Sequence, residues 1–368
     1  MKNFINMKQT VAVAMSGGAD SSYALIKLKE KGYDVFGVTL KLFCYGETPY
    51  SPKSCCSLEA IKDAKAICSD LGVSHLVIDA SEAFQKDVID YFVNGYRTGL
   101  TPNPCVVCNS AIKWKFLLKK IISYGADFLA TGHYARVCYS EEKQKFLLKC
   151  GLDKDKDQSY YLWALTQENL SKTLFPLGEM KKEEVKEKLA RYNIKISKKP
   201  ESQEICFIPD NDYRTFLQSG GVKISEGNFL NSAGEIIGKH KGFPFYTIGQ
   251  RRGLGVSHKE RLYVTYIDTL KNEITLGAKE ELYRKELVFS RANFIYMPDE
   301  QALLKGRIRY RGKLQTCQLK ETGEGRYKVN FLEPVWAVCA GQSFVLYEED
   351  SLVGGGIIEE EKDSAGAK

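Results

Sequence analysis

The feature that most constrains this chain lies near its start. Val11-Ala12-Val13-Ala14 runs into Met15-Ser16-Gly17-Gly18-Ala19-Asp20-Ser21-Ser22, and a helical stretch follows. A buried strand that turns through two glycines into a helix gathers unpaired backbone N–H groups and the positive end of the helix dipole at one point. Glycine lets the backbone approach phosphate oxygens, and the hydroxyls of Ser16, Ser21 and Ser22 add donors. Asp20 is placed to cap the helix or to help hold a magnesium ion. The run lacks Gly-Lys-Ser/Thr and is not a Walker A loop; it also lacks G-x-G-x-x-G, which sets a dinucleotide site aside. An ordinary glycine turn is the competing reading. The complete Ser-Gly-Gly-x-Asp-Ser string between strand and helix favours phosphate binding.

The alternation that this loop begins continues through the first half. Thr10–Ala14, Val35–Leu42, His75–Asp79 and Asp127–Ala130 read as strands, and Ser21–Lys31, Ser57–Leu71, Phe84–Arg97 and Ala111–Ser123 as helices. That order predicts an α/β domain over residues 1–212 with a doubly wound parallel sheet, whose ligands sit beyond the carboxyl ends of the strands. After about Asp210 the chain turns to short β runs between glycines: Phe245–Ile248, Leu262–Ile267, Glu273–Leu276, Leu303–Tyr310, Thr316–Leu319 and Tyr327–Phe331. These predict two small, mainly β, barrel-like domains, at 213–285 and 286–368.

With 43% hydrophobic residues in 368, the chain can bury real cores. No run approaches the ~20 apolar residues of a membrane span, and the apolar N-terminal stretch is short for a signal peptide, so a soluble cytoplasmic protein is expected. In that setting the eleven cysteines are expected to be mostly reduced and buried. The net charge of +7 suits a polyanionic partner such as RNA without establishing one. Lys181-Lys182-Glu183-Glu184 reads as a solvated helix face.

Two cysteine segments stand out. Thr101-Pro102-Asn103-Pro104-Cys105-Val106-Val107-Cys108-Asn109 is stiffened by two prolines, and Cys108 falls where the helix Ala111–Ser123 is expected to begin. A helix N-terminus, with Lys113 and Lys115 near, would favour a nucleophilic thiolate. Cys105-x-x-Cys108 is equally readable as half a zinc site, with Cys55-Cys56 as a conceivable other half, or as a redox dithiol. Glu201-Ser202-Gln203-Glu204-Ile205-Cys206-Phe207-Ile208-Pro209 is the second, and by pattern alone Cys206 reads as a buried strand cysteine.

The loop resembles the PP-loop of the N-type ATP pyrophosphatases, which join AMP to a substrate oxygen and release pyrophosphate. The resemblance then narrows. The loop, Asn103-Pro104-x-x-x-Cys108-Asn109, Ala130-Thr131-Gly132-His133-Tyr134, Lys156-Asp157-Gln158-Ser159-Tyr160 and Glu201-Ser202-Gln203-Glu204-Ile205-Cys206-Phe207 occur in order. Tyr246-Thr247-Ile248-Gly249-Gln250-Arg251-Arg252-Gly253-Leu254-Gly255, Arg307-Ile308-Arg309-Tyr310 and Gly341-Gln342 follow. Over nearly its full length the chain is similar to the MnmA family of tRNA-specific 2-thiouridylases.

That resemblance implies the following. ATP, with magnesium, would be held by Ala14, Met15, Ser16, Gly17, Gly18, Ala19, Asp20 and Ser21, by the backbone at Leu40, and by Gly132. Cys108 would be the nucleophile and Cys206 the persulfide carrier, joined in a transient disulfide. Asn103, Pro104 and Cys105 would face the target base, and His133, Lys156, Asp157, Gln158, Arg309, Tyr310 and Gln342 would meet tRNA. The substrate would be the wobble uridine of the lysine, glutamate and glutamine tRNAs, with sulfur supplied by a cysteine desulfurase or a relay protein. By position alone His133 would be read as a plain loop histidine.

The chain departs from the family pattern at two places. Aspartate is frequent where this chain has Cys105, although a cysteine variant exists. The change makes a three-thiol set of Cys105, Cys108 and Cys206, which could hold a [4Fe–4S] cluster with one open iron for sulfide. Cys339-Ala340 precedes Gly341-Gln342 where a proline is common. Two other classes compete: another PP-loop adenylating enzyme such as a 4-thiouridine or lysidine synthetase, and a non-catalytic tRNA-binding protein. The first lacks the paired cysteine motifs, and the second has no need of the loop and both thiols.

Overall fold

The computed structural model describes residues 8–42, 58–192, 205–208, 212–299 and 301–360. The chain divides into two compact units. One holds Met1–Val88, Cys105–Asp212 and Asp350–Leu352; the other holds Ile89–Pro104, Tyr213–Glu349 and Val353–Lys368.

The first unit is built on β1 (Thr10–Ala14), β2 (Asp34–Lys41), β3 (His75–Asp79), β4 (Phe128–Ala130) and β7 (Thr173–Leu174), in the order β3-β2-β1-β4-β7. Its four strand pairs are all parallel, with Val11 opposite both Val35 and Phe128. Val11, Ala12 and Val13 are fully buried, as the central strand of a sheet covered on both faces requires. Helix α1 (Ala19–Glu30) follows β1, and α2 (Leu58–Asp70) lies between β2 and β3. Tyr23, Leu25, Ile26 and Leu28 of α1 share a core with Val185 and Leu189 of the helix Lys182–Ala190. The chain goes to β2 on one side of β1 and to β4 on the other. The sheet therefore reverses its strand order between β1 and β4, and the crevice for a ligand opens where β1 and β4 end. A hairpin, β5 (Ala135–Ser140) with β6 (Lys145–Cys150), follows β4 in register from Ala135↔Cys150 to Ser140↔Lys145, and the sequence pattern had not suggested it.

One helix begins earlier than expected. The run predicted from Ala111 starts at Pro104, passes through an i→i+5 bonded stretch Cys108–Leu117, and ends with Leu118–Ser123. Pro104 explains the shift, because a first-turn proline has no N–H to leave unpaired and a φ already set for a helix. Cys105 thus occupies the first turn and Cys108 the second.

The second unit contains a small sheet of β8 (Gly227–Leu230), β9 (Ile236–His240), β10 (Tyr263–Asp268) and β11 (Glu273–Gly277), in the order β10-β11-β8-β9. Phe229, Val264, Ile274 and Leu276 are its fully buried core. The strand expected at Phe245–Ile248 is absent. Phe243–Phe245 is a single 3-10 turn after Gly242, and Pro244 removes a donor that a strand would use. Phe245 and Tyr246 still supply core surface. The unit also holds β12 (Tyr283–Phe294), β13 (Leu304–Arg307), β14 (Gln315–Gly323), β15 (Arg326–Trp336), β16 (Ser343–Glu348) and, from Val353 on, β17 (Ser351–Ile358). They run in the order β12-β15-β14-β13-β16-β17, and pairing of β12 with β17 closes a six-stranded barrel. Phe289, Val329, Phe344 and Leu346 are fully buried in it.

Candidate active site

The phosphate loop occupies the crevice that the strand order predicts. Gly17 has φ +67°, and a Cβ there would stand 2.7 Å from the Ala60 carbonyl oxygen of α2, so glycine is required on two counts. Gly18 caps α1 with extended backbone and no side-chain bond. The Ser21 hydroxyl accepts the Ser16 N–H at 3.2 Å and donates to the Gly18 carbonyl at 3.1 Å, while the Ser22 hydroxyl donates to the same carbonyl at 2.8 Å. These bonds hold the turn in one shape without using the leading N–H groups of α1. Beside the loop, the Met15 N–H donates to the Val38 carbonyl at 2.8 Å, and Thr39 donates to the Met15 carbonyl at 3.1 Å. Leu40, at the end of β2, is buried.

From β4, Gly132 closes on the same point. A Cβ at Gly132 would lie 2.9 Å from the Ser21 nitrogen and 3.0 Å from the Asp20 Cβ. Its neighbour His133 holds Thr131 Oγ1 through Nδ1 at 2.7 Å, with its ring between Trp114 and Phe175 at 5.8 and 5.9 Å. Desolvation there, reinforced by the Lys113 ammonium, pushes the His133 pKa well below the ordinary histidine range, so the ring is neutral at pH 7.

Asp20 does not cap α1. Its carboxylate receives Lys182 Nζ at 2.6 and 2.7 Å and the Tyr134 hydroxyl at 2.9 Å. Lys182 is therefore no solvated surface lysine: its side chain is 4% exposed, against 35% for Asp20. The sequence did carry a signal for this. Lys182, Val185 and Leu189 share the i, i+3, i+7 stripe of one helix face, and all three are buried. Asp20 keeps enough exposure to take part in holding a magnesium ion that arrives with a nucleotide.

Around Cys108, Asn109 fixes the helix. Its amide donates to the Tyr161 carbonyl at 3.0 Å and accepts from Lys113 Nζ at 2.8 Å. Cys105, Cys108 and Cys206 are all half-buried. Cys206 lies in a turn, closed by the Ile208 N–H to the Ile205 carbonyl at 3.1 Å, and not in the strand its pattern suggested. Phe207 pins that turn edge-on to Phe84 at 5.7 Å. Glu201 to Glu204, Pro209 and Cys55-Cys56 lie outside the described residues. Among the described residues no group of three or more His, Cys, Asp or Glu side chains forms a metal-ligand set. The three thiols thus do not present a preformed iron–sulfur site.

The expected RNA contacts differ in character. Asp157 is buried and accepts from the Gly151 N–H, the Ser159 N–H and the Ser159 hydroxyl at 3.0, 3.1 and 2.9 Å. The Gln158 side-chain oxygen accepts the Tyr134 N–H at 3.1 Å. Lys156 is half-buried, its N–H bonded to Asp153. In the second unit the Gln342 amide donates to the Thr101 carbonyl at 2.9 Å, and Thr101 N–H returns to Ala340, which ties the approach to Asn103 and Pro104. Arg309 is exposed and lies 5.1 Å over the Trp336 ring, and the Tyr310 carbonyl accepts from Arg307.

A phosphate loop at the switch point of a parallel sheet, with a carboxylate and a histidine segment beside it, defines a nucleotide-binding α/β protein of the PP-loop class. Comparison with known proteins narrows the class. Three family models match in succession: a tRNA methyl transferase HUP domain at residues 9–210, a tRNA methyl transferase PRC-barrel domain at 214–278, and an aminomethyltransferase beta-barrel domain at 284–358. A tRNA-specific 2-thiouridylase MnmA of Salinibacter ruber is 45% identical over 366 residues, 97% of this chain and 96% of the relative. One of Clostridioides difficile is 42% identical over 356 residues, 96% and 99% of the two chains. The chain belongs to the MnmA family of tRNA-specific 2-thiouridylases.

Proposed function

We propose that this chain is an ATP-dependent tRNA uridine 2-sulfurtransferase acting on the wobble uridine of the lysine, glutamate and glutamine tRNAs. The observation that carries the reading is full-length identity of 45% to a relative of that name, with an intact phosphate loop and both cysteine motifs.

The chemistry needs what these residues supply. A uracil C2 carbonyl is a poor electrophile and its oxygen a poor leaving group. Attack of that oxygen on the α-phosphorus of ATP expels pyrophosphate and converts the oxygen into AMP, which leaves well. The loop N–H groups and the α1 dipole hold the phosphates for that attack, and magnesium shields their charge. The outer sulfur of a Cys206 persulfide then bonds to C2 as AMP departs. Cys108 thiolate attacks Cys206 Sγ, which leaves the transferred sulfur on C2 and a Cys108–Cys206 disulfide. Alternatively Cys108 attacks first and frees sulfide to displace AMP. Either route consumes the persulfide and ends in the same disulfide, which a two-electron thiol reductant must reopen. A cysteine desulfurase or relay protein reloads Cys206. The target base must leave its stack to reach the site.

In vitro thiolation tests this, with ATP, magnesium, unmodified tRNA and a desulfurase, run with and without oxygen. The account expects 2-thiouridine and one AMP per sulfur transferred, with loss of product in Cys108→Ser and Cys206→Ser proteins. Product formed by either serine variant would overturn the assignments.

A further inference from the structure

The Asp20–Lys182 pair joins the phosphate loop to more than one helix. Lys182 is the first residue of its helix, and its N–H donates to Asp153 Oδ2 at 2.9 Å. The other oxygen of Asp153 accepts the N–H groups of Asp155 and Lys156 at 3.1 and 3.3 Å. One rail of bonds thus runs from the carboxylate in the first turn of α1 to the loop bearing Lys156, Asp157 and Gln158. A second rail runs parallel to it. Tyr134 donates its hydroxyl to Asp20, donates its N–H to Gln158 Oε1 at 3.1 Å, and accepts the Gln158 N–H at its carbonyl at 2.9 Å. Lys182 Nζ lies 5.8 Å from the Tyr134 ring centre, which bridges the rails at the loop end. At the other end the Gly151 N–H donates to Asp157 Oδ1 at 3.0 Å, beside the Tyr134 carbonyl.

We propose that Lys182, Tyr134 and Asp153 are positioning residues that couple the phosphate loop to the 153–158 loop, so that ATP and tRNA each tighten the binding of the other. The inference rests on the function proposed above and adds a linkage between its two ligands. Its physical basis is charge and burial. Triphosphate at the α1 N-terminus brings negative charge toward Asp20, and the buried Lys182 ammonium is the cation held against that carboxylate. Any change in its position is passed to Asp153 through the first N–H of the same helix. Conversely, RNA held by Lys156 and Gln158 fixes Asp153 and Tyr134, and through them the Asp20 carboxylate. Binding linkage must be reciprocal, so one ratio measures both directions.

The test is titration calorimetry of a non-hydrolysable ATP analogue with magnesium, without tRNA and with saturating unmodified lysine tRNA. For the unaltered protein the expected ratio of the two dissociation constants is about 5-fold or more. Lys182→Met and Asp153→Ala each cut one rail and lower the ratio measurably, Lys182→Arg restores part of it, and Tyr134→Phe combined with Asp153→Ala, which cuts both rails, brings it to near 1. Asp153 touches neither ligand in this account, so its variant decides the matter if Lys182→Met proves too unstable to titrate. An unaltered protein that binds both ligands with a ratio of 1, or an Asp153→Ala protein that keeps the full ratio, overturns the coupling alone. Failure of the unaltered protein to bind the analogue at all would sink the nucleotide reading and the coupling with it.

Discussion

The phosphate loop and the barrel surface dispose their polar groups in opposite ways. At the loop, Ser21, Ser22 and Lys182 are committed to internal partners, and the groups left for a ligand are backbone N–H donors with the part-exposed Asp20 carboxylate beside them. On the barrel, Arg309 is exposed and its guanidinium carbon lies 5.1 Å from the centre of the Trp336 ring. The first arrangement gives one fixed geometry, which the proposed adenylation of a base requires. Under the proposed function the second would supply charge and an aromatic surface that tolerate many RNA shapes. In the proposed function rigidity serves the chemistry and adaptability the grip. The 153–158 loop is intermediate, since it lies among the expected RNA contacts yet Asp157 faces inward.

Substitutions can sharpen or break this contrast. The largest effect is expected from Gly17→Ala, which needs an alanine at φ +67° with its Cβ 2.7 Å from a carbonyl oxygen. ATP-dependent thiolation should fall by about 100-fold or more as the loop shifts. Near-normal turnover would mean that loop geometry is not limiting. Asp157→Ala comes next. It strips the Gly151 and Ser159 N–H groups of their acceptor, and urea denaturation should show a loss of about 3 kcal/mol. A protein of unchanged stability but weakened tRNA binding would move Asp157 to the RNA-facing set. The smallest effect is expected from Arg309→Ala, with stability within about 0.5 kcal/mol of the parent. Its tRNA affinity should weaken several-fold, and the slope of affinity against salt should fall by about 1.

Features made by neighbours in the chain could be read from the sequence, and features made by distant partners could not. The strand, two glycines and first turn of α1 are contiguous, so the phosphate loop and the parallel sheet were legible. Lys182 was misread because a run of charges suggests solvent, while its partner lies far away in sequence on the loop. Pro104 moved a helix start by two turns, since a first-turn proline looks like a breaker until its position is known. β12 escaped because its burial alternates weakly along twelve residues, whereas β1 is a plain apolar run. The cysteine roles were never legible from spacing, which left nucleophile, zinc and dithiol readings open. They came from the resemblance, and the fold adds only that both thiols are half-buried.

The central claim, that this chain places sulfur on tRNA uridine, is tested most directly by nucleoside mass spectrometry of tRNA from a strain lacking the gene. The account predicts that 2-thiouridine derivatives disappear, return with the unaltered gene and do not return with Cys206→Ser. Unchanged 2-thiouridine in the strain lacking the gene would contradict it.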